Sequence, residues 1–294
     1  MSVRIYSAIF FLCLIWGYLW VPIKISLQTF PPFYFTATRL LIGGGCLILA
    51  QILLRESVFP RRNEVPKIIV LSSFMSFGYY GLSTFGMQYV DSGLSAILVY
   101  TMPIMMGVLA HYFLAEHLNF KKIIGLGLGL VGIITILFRQ LMNLKFDLIF
   151  WGELLLLTSA FSWACATVYM KNNFEEYNKV KLTIWQLLIG SVILYLLSYL
   201  TEDASDIKWQ NPETILYLGY SSVLGTALAF LVWNWIISKI DASLASISIM
   251  SVPLIGIFFG YIQLHEKISF SMMCGVFLII FGIFIYIIKI PIKK

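Results

Sequence analysis

The chain alternates between apolar runs of about 20 residues and short polar links, and that alternation decides which solvent it folds in. The runs fall at roughly 5–26, 33–54, 67–88, 95–115, 120–139, 149–170, 181–200, 214–237, 243–263 and 269–289. A helix of this length crosses the ~30 Å hydrocarbon layer of a bilayer at 1.5 Å per residue. Lipid gives the backbone no hydrogen-bond partner, so a crossing segment must be a helix or part of a closed barrel. Barrel strands are short and alternate polar with apolar, whereas these runs are apolar throughout. The expectation is an all-α integral membrane protein with ten transmembrane helices. Composition agrees. Hydrophobic residues make up 60% of the 294 and charged residues 12%, against about 25% charged in a soluble domain. The first run is longer than a secretory signal core and is followed by no small-x-small cleavage site, so it is read as a retained helix.

Ten spans put both termini on one side. Fourteen of the 20 Lys and Arg fall on that side, among them Arg61, Arg62, Lys121, Lys122, Lys179 and Lys181. Five fall opposite (Lys24, Arg139, Lys145, Lys208 and Lys267), and Arg39 lies inside the second span. Positive loops stay in the cytoplasm, so both termini are expected there, with the protein in the cell membrane. The net charge of +6 is then mostly topology, and no basic groove invites nucleic acid. Cys13, Cys46, Cys165 and Cys274 sit in apolar spans without motif spacing and read as packing residues rather than a disulfide or zinc framework. A metal, a cofactor and an enzyme active site are all unexpected. HYFLAEH at 111–117 misses the HExxH spacing, and there is no P-loop, aspartate-rich metal motif or nucleophile elbow.

The sequence repeats. With a shift of 150 residues Asp91 meets Asp241, Leu94 meets Leu244, Pro103 meets Pro253, Glu116 meets Glu266, Gly125 meets Gly275 and Gly132 meets Gly282. With a shift of 147, Trp16 meets Trp163, and LLIG at 40–43 recurs at 187–190. Two five-helix halves, 1–145 and 146–294, are expected. Five is odd, so the second half enters the membrane from the opposite side, and the halves are related by a pseudo-two-fold axis in the membrane plane. Such inverted repeats mark secondary transporters. Pro103 and Pro253 interrupt matching helices, which is expected near a midplane site and suits a hinge. Glu116 and Glu266 close those helices. Each either caps the free N–H groups of the next helix or acts as a gate element that pairs in one conformation only.

These features together resemble EamA-type members of the drug/metabolite transporter superfamily. The residues carrying the resemblance are Trp16–Gly17, Lys24, Pro32 and Arg39, and the Pro-to-Glu spacing at 103–116 and 253–266. Glycines follow each Glu at nine and sixteen residues, and 152–172 looks like the family's sixth-helix opening. The resemblance implies ten helices around a central cavity lined mainly by spans one, three, four, six, eight and nine, with export of small metabolites or drugs. The halves differ where Gln186 answers Arg39 and Ala164 answers Gly17, so the cavity should be lined asymmetrically.

Arg39 is the first candidate for holding a substrate. It lies seven residues past Pro32, about 10 Å along a helix, and a charge at that depth usually has a partner or a purpose. It suits a clamp on a carboxylate or phosphate; snorkelling to headgroups, or bonding to carbonyls at a helix end, is the competing reading. Trp16, Trp20 and Trp163 could wall the cavity or simply pack, and Tyr79, Tyr80, Ser83 and Tyr100 could add polar contacts. His111 is the intramembrane histidine, read first as a packing residue. Gly125 and Gly129 form a GxxxG face, suited to packing within the chain or to a homodimer contact. The leading expectation is a secondary exporter of small amphipathic metabolites, amino acids or their derivatives, or of drugs. A phosphorylated-sugar or nucleotide-sugar antiporter, a membrane enzyme and a non-transporting scaffold are the alternatives.

Overall fold

The computed structural model describes residues 3–114, 120–142, 146–174, 177–203, 205, 207, 209, 211–237, 239, 249 and 251–287. These form α1 (Val3–Ser26), α2 (Pro32–Leu53), α3 (Arg62–Met87), α4 (Ser92–Val99 with Met102–Phe113) and α5 (Phe120–Met142). They continue as α6 (Leu148–Asn173), α7 (Lys179–Thr201), α8 (Pro212–Gly219, Tyr220–Leu228 and Ala229–Ile237), α9 (Val252–Leu264) and α10 (Phe270–Ile287). The described residues contain no strand. Seven helices are long and apolar enough to cross a membrane: α1 to α4, α6, α7 and Pro212–Trp233 of α8. α5, α9 and α10 contribute shorter apolar stretches.

The helices begin where the sequence offers a cap. Asp147 accepts from the Phe150 N–H, Asn178 from those of Val180 and Lys181, and Asn211 from that of Glu213. Each satisfies donors that a first helical turn leaves over. Pro32 and Pro212 stand in first turns, where a missing N–H loses nothing.

The same reasoning refines the prolines of α4 and α9. α4 is broken at Tyr100–Thr101, and Pro103 is the second residue of the piece that follows. Pro253 likewise lies in the first turn of Val252–Leu264, after Ser251. Both prolines therefore start helical pieces instead of kinking continuous ones. Thr101 donates its hydroxyl to the Leu98 carbonyl at 2.6 Å, closing part of the broken ladder.

Two further irregularities were invisible in the sequence. Ser73–Gly81 of α3 and Tyr220–Leu228 of α8 wind as nine-residue π-helices, and each bound of the second lies 147 residues beyond that of the first. π-helical turns are rare and concentrate at functional sites.

Packing crosses between the sequence halves. α2 lies against α7, α5 against α10, α1 against α9 and α4 against α6. Small residues let these backbones approach, as is usual in membrane proteins. A methyl group on Gly132 would come within 2.7 Å of the Gly275 carbonyl, and one on Gly282 within 2.6 Å of the Gly125 carbonyl. A methyl on Gly129 would collide with Ile104 at 2.0 Å. The Gly125/Gly129 face thus packs within the chain against α10 and α4. One buried apolar cluster gathers residues of α1, α4, α8 and α9 and another those of α2, α3 and α7; Tyr79 and Trp163 pack against both.

Candidate functional site

Arg39 lies on α2 with 3% of its surface exposed. Its Nε donates to the Thr226 hydroxyl at 2.8 Å and to the Ser221 carbonyl at 3.2 Å, both in the π-helical stretch of α8. Its guanidinium carbon stands 5.3 Å from the centre of the Tyr80 ring, a distance that favours a cation over an aromatic face. The four Nη–H donors have no acceptor among the described residues, and no carboxylate pairs with the charge there. Snorkelling does not fit a side chain this deeply enclosed, whereas bonding to a backbone carbonyl does occur, at Ser221 within a helix rather than at a helix end.

Aromatic rings adjoin this cation. Tyr80 contacts Tyr79 at 4.8 Å and Phe230 at 6.3 Å between centroids. Trp16 meets Phe230 at 6.2 Å and Trp233 at 5.7 Å. Trp16, Tyr79 and Trp163 are half-buried, whereas Trp20 and Tyr100 are buried. Trp20 lies beside Gly256 of α9, in a packing position. Ser83 is buried and donates to the Tyr80 carbonyl at 3.2 Å, so its hydroxyl serves its own helix. Arg39, Tyr79, Tyr80 and Trp16 form one connected group through Phe230, while Trp20 stands apart from it. Phe230, Trp233 and Thr226 were not singled out from the sequence; the i, i+3 spacing of Phe230 and Trp233 was the available signal.

A second polar cluster joins the links at one end of the bundle. Glu266 accepts from the Ser92 N–H at 2.6 Å and the Gly93 N–H at 3.0 Å, clasping the N-terminus of α4. The next helix's N–H groups, one of the two roles the sequence left open for it, are not the ones it takes. Gly260 makes room for it, since a methyl group there would reach Oε2 at 2.5 Å. Lys24 donates to the carbonyls of Met87, Gln88 and Val90 at 2.6, 3.2 and 2.7 Å, which close the C-terminal end of α3. Burial and the nearby Glu266 carboxylate push the Asp91 carboxyl up, and Lys24 opposes them. At the same end Glu202 clasps the start of α2, accepting from the Phe33 and Tyr34 N–H groups at 2.8 and 3.0 Å.

Glu116 and Asp241 lie outside the described residues, as does the side chain of Pro103. His111 is half-buried beside Tyr112, with ring centres 5.2 Å apart. Glu153 is fully buried next to Gly152, where α6 crosses α3 at Gly86.

Known proteins resemble the chain along nearly its whole length. An uncharacterized transporter of Bacillus subtilis, YoaV, is 36% identical over 96% of this chain and 96% of its own. A second from the same organism, YvbV, is 35% identical over 93% and 88%. A probable amino-acid metabolite efflux pump of Salmonella typhimurium is 24% identical over 95% and 93%. One solved crystal structure superimposes with a TM-score of 0.70 over 97% of this chain and 96% of that one, at 19% identity, a likeness of fold. The EamA-like transporter family matches residues 3–138 and again residues 150–288. With both halves matched, this chain belongs to the EamA-like transporter family of the drug/metabolite transporter superfamily.

Proposed function

We propose that the chain is a secondary transporter that exports small amphipathic metabolites carrying a carboxylate, amino acids or their derivatives, by alternating access. In this reading residues 1–145 and 146–294 are two inverted five-helix repeats around a central cavity, with both termini cytoplasmic. The double family match, the matched π-helical stretches and the cross-half packing support the repeat. The breaks before Pro103 and Pro253 are where α4 and α9 hinge, and Glu266 holds one end shut.

One observation carries the substrate class: a buried guanidinium whose Nη–H groups have no acceptor among the described residues. An unneutralised cation inside a membrane bundle is expensive, ~2.5–3.5 kcal/mol even on translocon scales. A solute carboxylate can take two parallel N–H···O bonds from such a fork and neutralise it. Tyr80, Tyr79, Phe230 and Trp16 then offer aromatic faces to the rest of the solute. A phosphorylated solute needs several cations, and Lys24 is already occupied by three carbonyls.

Purified protein in proteoliposomes should exchange a radiolabelled mixture of apolar L-amino acids, with and without a pH gradient. Arg39→Gln should abolish their preference over the matching amino-acid amides while leaving membrane insertion intact. Efficient competition by sugar phosphates with none by amino acids would overturn the assignment.

A further inference from the structure

We propose that Thr226 is a positioning residue for Arg39: with the Ser221 carbonyl it captures Nε, and so commits both Nη groups to the solute. The inference rests on the transport reading above and names the part of α8 that makes the site selective.

The Thr226 hydroxyl has one proton and two lone pairs. It donates to the Ser221 carbonyl at 2.8 Å and accepts from Arg39 Nε at 2.8 Å. The proton is therefore committed along its own helix, and a lone pair is left facing the guanidinium. The Ser221 carbonyl, with two lone pairs of its own, also reaches Nε at 3.2 Å. The Ser221 carbonyl thus accepts from two side chains at the start of the π-helical stretch. The hydroxyl cannot swing away. Thr226 is fully buried, and its methyl fills the space above Gly43, where a methyl group would come within 2.9 Å. Gly43 lies one helical turn beyond Arg39 on α2. Arginine and glycine together thus form the socket into which the π-helical stretch fits.

The other half shows what the device adds. The same π-helical winding and glycine crossing occur there, with Gly190 against Ser76. Position by position at the shift of 147, however, Gln186 answers Arg39 and Tyr79 answers Thr226. The carbonyl answering Ser221 is that of Phe74, and it accepts from the Ser162 hydroxyl at 2.8 Å, a neutral donor on α6. The backbone irregularity therefore belongs to the fold, whereas aiming a cation with it belongs to α8. The site holds one carboxylate on one side, and specificity follows from the orientation of a single fork. A site built to bond a polar group rejects the analogue that lacks it.

The test uses the full-length protein in proteoliposomes with apolar L-amino acids and their amides as probes. Thr226→Val keeps the shape and removes both hydroxyl bonds. It should raise the half-saturating amino-acid concentration about tenfold, ~1.4 kcal/mol, leave the maximal rate within twofold, and shrink the acid-over-amide preference. Thr226→Ser should restore all three. Ser162→Ala, the matching loss in the other half, should change none. If Thr226→Val inserts poorly, Thr226→Ala serves, with the same expectation. A fall in maximal rate alone, or no change while Arg39→Gln still destroys the preference, overturns the positioning role and leaves the carboxylate reading standing. An unchanged preference in Arg39→Gln itself overturns the carboxylate reading as well.

Discussion

Replacing Glu266 by glutamine tests whether the clasp on α4 holds one mouth of the bundle shut. Both carboxylate oxygens are used, at 2.6 Å to the Ser92 N–H and 3.0 Å to the Gly93 N–H, at the start of a helix where negative charge is favoured. A hydrogen bond to a charged group is worth ~1.5–3 kcal/mol net, and a charge at a helix N-terminus ~0.3–1 kcal/mol. Glutamine keeps one carbonyl acceptor and turns a donor toward the other N–H. The loss should be about 2 kcal/mol, roughly thirtyfold in the balance between clasped and released states. The reporter is a cysteine replacing Ser95, which is fully buried one turn inside α4, in a chain whose other four cysteines are replaced by alanine. Labelling by a membrane-impermeant maleimide from outside the cell should accelerate in Glu266→Gln by about that factor. Thermal unfolding in detergent separates local release from general loosening. An unchanged labelling rate with an unchanged melting temperature would refute the clasp as a closure, because the bonds would then be removed without any mouth opening.

Gly260→Ala places a methyl group 2.5 Å from Glu266 Oε2, so it should displace the carboxylate and mimic Glu266→Gln in the same labelling assay; protection equal to the parent would count against the cradle. The Asp91 carboxyl is pushed up by burial first and by Glu266 second. A raised carboxyl favours its neutral form in the fold, so its contribution to stability falls as pH rises above the ordinary value of 3.8. Asp91→Asn should therefore flatten the decline of melting temperature across the mildly acidic range and raise it at neutral pH, and a steeper decline would contradict the sign. Gly132→Leu should separate α5 from α10, since even a methyl group would meet the Gly275 carbonyl at 2.7 Å; a drop of several degrees in melting temperature is expected, and full tolerance would argue against this crossing.

Much of this architecture is legible in the residues, and the boundary is physical. Long apolar runs dictate helices because lipid allows nothing else, and Asp147, Asn178 and Asn211 mark starts through bonds two or three residues away. Arg39 is conspicuous because a charge inside an apolar run is costly wherever it lands. What the sequence hides is partnership across halves. Arg39 meets Thr226 at a separation of 187 residues, and Glu266 meets Ser92 at 174. Nothing local distinguishes these from a snorkelling arginine or a glutamate that caps its neighbour. The π-helical stretches are hidden for a different reason: SFMSFGYYG and YSSVLGTAL have no common pattern beyond small residues, and the helices that lie close against them, α2 at Gly43 and α7 at Gly190, come from the opposite half of the chain.

Sidedness tests the inverted repeat most directly. Single cysteines replacing Lys121 at the start of α5 and Lys267 in the link before α10 should react with an impermeant maleimide from opposite compartments, Lys267 from outside the cell and Lys121 only after the membrane is opened. Both positions reacting from one compartment would contradict a head-over-tail duplication, and with it the alternating-access mechanism built on that symmetry.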